Sequence, residues 1–121
     1  MNLIDLFNIK TELLTPTKVV LTMEIKPEHQ QPYGLMHGGV SCVLAETAAS
    51  LGANQNLDLK KQVAVGLDIQ TTHLKPMQRG QIQAIGKPIK VGRQVQTWQV
   101  QIFHQDQQIS ESNVNLFNQS V

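Results

Sequence analysis

Residues 31–50 read QPYGLMHGGVSCVLAETAAS, a glycine-containing turn that runs directly into a stretch with helical periodicity. Val40, Val43, Leu44, Thr47, Ala48 and Leu51 recur at three- and four-residue intervals, which predicts a helix from His37 to about Asn54. The first amides of a helix lack an intrahelical acceptor, so Gly38 and Gly39 can present N–H donors to an oxygen that gains negative charge. Glu46 follows two turns later, and Ser50 stands four residues beyond it, within side-chain contact. Oxyanion donors near a carboxylate form the minimal kit for acyl transfer. Taken alone, Glu46 reads as a solvated helix residue and the glycine pair as a tight turn with positive φ. Their joint occurrence favours a site. The buried stripe is expected to centre on Val40, Leu44, Thr47 and Leu51, leaving Glu46 and Ser50 on its flank and only partly solvated.

On either side of this segment the pattern changes to strand. Residues 2–8 form a short apolar run suited to a helical turn, followed by a break at Pro16. From Lys18 to Lys26, Val19, Leu21, Met23 and Ile25 alternate with polar neighbours, as a half-buried strand requires. Residues 27–33 carry two prolines and feed the glycine turn as a loop. Beyond the helix come four β-rich runs, Val63–Lys75, Gln81–Ile89, Arg93–His104 and Gln108–Asn118, joined by connections of hairpin length. A strand, one long central helix and an antiparallel meander predict an α+β domain whose sheet wraps the helix. The small residues Ala45, Ala48, Ala49, Gly52 and Ala53 permit close approach of the two.

The 121 residues suit one domain spanning 1–121, and the net charge of +1 argues against a nucleic-acid partner. No run approaches the length of a membrane helix, and the N-terminus lacks a basic and apolar leader, so a cytoplasmic protein with no membrane contact is expected. Cys42 is the single cysteine and reads as a packed thiol. No histidine has paired metal-ligand spacing, so neither metal nor cofactor is expected.

Two further features bear on function. Gln31 can return its side-chain amide towards the glycine turn, and His37 can orient the loop or the nucleophile, or simply bond to backbone. No acidic residue lies between Asp68 and Asp106, whereas Lys75, Arg79, Lys87, Lys90 and Arg93 do, half of the chain's ten basic residues. This is either a solvated basic face or a phosphate-binding rim. Arg93 beside Gly92 suits the latter, since a guanidinium forks onto phosphate and a glycine turn exposes N–H groups.

With these residues in view, the chain resembles the hotdog-fold acyl-CoA thioesterases, the branch of glutamate-type 4-hydroxybenzoyl-CoA and 1,4-dihydroxy-2-naphthoyl-CoA thioesterases. The resemblance runs from about Val19 to Asn118. It is carried by QPYGLMHGGVSCVLAET, VGLDIQTTHLKP and GKPIKVGRQVQTWQVQIF. It implies a hotdog fold, antiparallel sheet around one helix, with subunits paired as a homodimer, often a homotetramer, and active sites at the interface. It implies that Glu46 acts as nucleophile or general base and that Gly38 N–H forms the oxyanion hole. Gln31 supports the carbonyl, His37 shapes the loop and Ser50 positions water. Gly66, His73, Lys75, Lys90, Gly92 and Arg93 match stretches that contact coenzyme A, here part of the substrate; Lys75 departs from a frequent arginine. The implied activity is hydrolysis of an acyl-CoA, an aromatic one, with a menaquinone pathway among the settings. A 3-hydroxyacyl dehydratase or a non-catalytic acyl-CoA-binding module stand as alternatives. Met36, Leu74 and Met77 are expected to shape the acyl pocket.

Overall fold

The computed structural model describes all 121 residues. A one-turn helix α1 (Leu3–Leu6) precedes strands β1 (Lys10–Leu14) and β2 (Val19–Ile25), the long helix α2 (Gly38–Asn54), and strands β3 (Gln62–His73), β4 (Gly80–Val91), β5 (Val95–His104) and β6 (Gln107–Ser120). The strands form one antiparallel sheet in the order β1-β2-β4-β5-β6-β3. The sheet covers α2, the hotdog arrangement that the resemblance implies. No helix is long and apolar enough to cross a membrane.

Strand alternation translates into burial as expected: Val19, Leu21, Met23 and Ile25 of β2 are all buried against the core. The sequence reading omitted β1, which pairs with β2 at the sheet edge. Four of its five residues are exposed, so the segment KTELL carries no alternation to read. Thr22 nevertheless donates to Glu12 Oε1 at 3.0 Å and ties the two strands together.

The buried face of α2 differs from the expected stripe. Ser41, Leu44, Ala45, Ala48, Ala49 and Gly52 are buried, whereas Val43, Thr47 and Leu51 are only half-buried and lie on another flank. The cause is distance: the six-membered sheet packs closest where side chains are shortest. Trp98, fully buried on β5, presses directly on Gly52, and a Cβ there would lie 2.6 Å from Trp98 Cζ3. The larger apolar residues are thereby left to line a cavity beside α1.

Candidate active site

His37 caps α2. Its backbone is extended and its Nδ1 accepts Gly39 N–H at 2.8 Å, while its carbonyl accepts Val40 N–H at 3.0 Å. The bond to backbone expected of His37 is present. Gly38 N–H has no acceptor within the chain, so a free donor stands at the positive end of a 17-residue helix.

Neither glycine of the pair has positive φ; the left-handed glycines are Gly34 and Gly80. What the pair provides is space. A Cβ on Gly38 would stand 2.8 Å from His73 Nε2, and one on Gly39 would stand 2.9 Å from His37 Nδ1. His73, the last residue of β3, therefore roofs the start of α2. Gln31 Oε1 accepts the Tyr33 amide, which leaves the side-chain NH2 as a donor without a partner in the chain. Gln31, Gly38, Ser41, His73, Lys75 and Met77 share one cavity of about 370 Å³. Met36 and Leu74 line this cavity too, so the three residues expected to shape the acyl pocket surround Gly38 and not Glu46.

Glu46 is exposed, contrary to the expected partial burial, and makes no hydrogen bond or ion pair. The flank of α2 that carries it looks over β3, an edge strand with no further strand beyond it. The carboxylate rests on Gly66, where a Cβ would lie 3.0 Å from Oε2. Glu46, Thr47 and Ser50 border a second cavity of about 360 Å³, walled by Val43 and Leu51 of α2 and by Leu3 and Ile4 of α1. Leu3 and Ile4 were absent from the sequence-based candidates. The only signal for them was the apolar run at residues 2–8. Cys42 also borders this cavity, with its Sγ 3.5 Å from Thr71 Oγ1 on β3.

The two halves of the kit do not meet in one chain. Gly38 and Glu46 are eight residues apart, about 12 Å along the helix axis, too far for a single carbonyl to touch both. The six residues matched to coenzyme A divide as well. Gly66 lies beneath Glu46, and His73 and Lys75 border the cavity at the start of α2. Lys90, Gly92 and Arg93 belong to the end of β4 and the turn that follows. The carbonyls of Gly92 and Arg93 accept from Asn118 Nδ2, and Asn118 Oδ1 accepts from Gln96, which also donates to the Ala53 carbonyl at 3.0 Å. That chain of bonds sets the turn at the far end of α2, about 25 Å from its start.

The family described as the thioesterase superfamily matches residues 33–111. The chain is 37% identical over 95 residues to ComA2 of Bacillus subtilis, a protein named only as an esterase, covering 78% of this chain and 75% of that one. It is 39% identical over 85 residues to a 1,4-dihydroxy-2-naphthoyl-CoA hydrolase of Listeria monocytogenes, covering 70% and 68% respectively. Among solved structures, a thioesterase of Haemophilus influenzae superposes with a TM-score of 0.88 at 34% identity, over 94% of this chain and 80% of that one.

Proposed function

The chain belongs to the thioesterase superfamily and is a thioester hydrolase, and we propose that its substrate is an acyl-CoA with an aromatic acyl group, cleaved with Glu46 as nucleophile or general base. The observation that carries this reading is the Glu46 carboxylate itself, unpaired in the chain and bordering an apolar cavity. An unpaired carboxylate with Ser50 one turn away can attack a thioester carbonyl or hold a water for attack. The carbonyl oxygen, as it becomes negative, is received by Gly38 N–H and the Gln31 amide. When water attacks, collapse of the tetrahedral species expels the coenzyme A thiolate and leaves the carboxylic acid; when Glu46 attacks, it leaves a mixed anhydride that water then hydrolyses to the acid and free Glu46. The name of the Listeria relative supports the aromatic acyl group.

The 12 Å between Gly38 and Glu46 makes a second copy part of the same proposal. β3 is a 12-residue edge strand with Val65 and Leu67 exposed, a template for pairing with another chain. An antiparallel pairing of two β3 strands with its two-fold axis between Ile69 and Gln70 sets Gly66 of one copy opposite His73 of the other. Glu46 then faces the Gly38, His73 and Lys75 cluster of the second copy, and one carbonyl can reach both parts. This supports a homodimer as the smallest assembly that completes the site.

The test is release of free thiol from benzoyl-, naphthoyl- and short-chain acyl-CoA, followed with a thiol reagent. Thiol release from the aromatic esters supports the reading. Hydration of an enoyl-CoA, or binding of the esters without thiol release, overturns it.

A further inference from the structure

We infer that Leu3 and Ile4 of α1 set the size of the acyl group, and that the cavity they wall takes a compact, uncharged acyl chain or ring. This rests on the acyl-CoA reading above. The cavity beside Glu46 has a volume of about 360 Å³, at the small end of the roughly 300–1,000 Å³ of ligand pockets. It holds an acyl group and not a whole acyl-CoA. Its walls are branched aliphatic side chains, Leu3 and Ile4 on one side and Val43 and Leu51 on the other. No lysine, arginine or histidine borders it, and Glu46 is its one charged group. The aliphatic walls formed by Leu3, Ile4, Val43 and Leu51 offer no cation to an acyl chain that ends in a carboxylate. A single hydroxyl is accommodated. Thr47 Oγ1 donates to the Val43 carbonyl at 2.6 Å and keeps its lone pairs, and Ser50 Oγ is unbonded in the chain.

The α1 wall is adjustable because its anchors lie outside it. Asn2 and Asp5 close a capping box across the turn, Phe7 packs on the His29 ring with centroids 5.3 Å apart, and Ile9 is buried in the core. Leu3 and Ile4 themselves are 50% and 37% exposed, so their size can change without disturbing the core.

The experiment measures kcat/KM for acetyl-, benzoyl-, decanoyl- and succinyl-CoA with the parent and with Leu3→Trp, Ile4→Trp, Leu3→Ala and Ile4→Ala, each checked by circular dichroism and thermal unfolding. The tryptophan variants should lower the benzoyl-to-acetyl ratio by about tenfold or more, and the alanine variants should raise the decanoyl-to-benzoyl ratio. The parent should prefer benzoyl- to succinyl-CoA. Ratios unchanged within about twofold in all four folded variants, or a parent that prefers succinyl-CoA, overturn the inference while leaving the acyl-CoA reading standing. A parent that releases thiol from none of the four esters overturns both.

Discussion

The carboxylate of Glu46 lies directly on the bare Cα of Gly66, with space for a Cβ closed to 3.0 Å from Oε2. Gly66 sits where the pairing of β3 with β6 shifts register, so the strand bends under the carboxylate at a residue with no side chain. Gly66→Ala should therefore move Glu46 and leave the fold intact, because the displaced group is the far end of an exposed, flexible side chain. We expect kcat to fall by about ten- to a hundredfold with little change in Tm. Full activity together with an unchanged Tm would mean that Glu46 tolerates the displacement and its position is not critical.

Glu46→Ala should reduce kcat by about 10²–10⁴-fold without loss of stability, since the side chain is exposed and unbonded. Glu46→Asp should keep part of the activity, being one methylene short of the same point. Steady-state kinetics on an aromatic acyl-CoA decides this. An alanine variant as fast as the parent removes Glu46 from the mechanism.

His37 is predicted to act through the helix start. His37→Ala loses the acceptor for Gly39 N–H and should destabilise the protein by about 1 kcal/mol, seen in urea unfolding. His37→Asn, which restores a capping oxygen, should recover that loss. If Asn restores stability but kcat stays as low as in the alanine variant, the imidazole has a role at the substrate as well.

Gly52→Ala tests the packing of α2 on the sheet. Alanine has the better helix propensity, yet its Cβ would lie 2.6 Å from Trp98 Cζ3 and 2.8 Å from Val19 Cγ2, both in the closed core. Overpacking should win and cost about 1–3 kcal/mol. A variant more stable than the parent would show that Trp98 has room to retreat.

Leu67→Asp addresses the second copy. Leu67 is 56% exposed on the free edge of β3, so the single chain has little to lose from the change. In a β3-paired dimer the substitution places a carboxylate on each strand of the seam, where the exposed apolar side chain of Leu67 would otherwise be covered. Light scattering should find a dimer or larger assembly for the parent and monomer for the variant, with activity lost in parallel. A fully active monomer would contradict the shared site.

Much of the architecture was legible because it is written in local periodicity. The alternation of Val19, Leu21, Met23 and Ile25 and the helical recurrence through residues 37–54 each report a face, and the five strands and the helix read from them are present. β1 escaped because an exposed edge strand has no buried face to leave a period. The identity of the α2 face turned towards the sheet escaped for a related reason. Hydropathy favoured Leu51 and Thr47, whereas close packing selected Ala45, Ala48 and Gly52, a choice made by Trp98 from forty-odd residues away.

The candidate site divides along the same line. The chain's own order of residues set the free Gly38 N–H, the His37 cap and the spacing from Gly38 to Glu46, since all are consequences of one helix. Folding alone revealed that His73 roofs Gly38, that Gly66 underlies Glu46 and that Leu3 and Ile4 wall the cavity beside it. Those contacts join residues far apart in the chain, and their distances follow from strand order and helix packing, which no local pattern of side chains encodes.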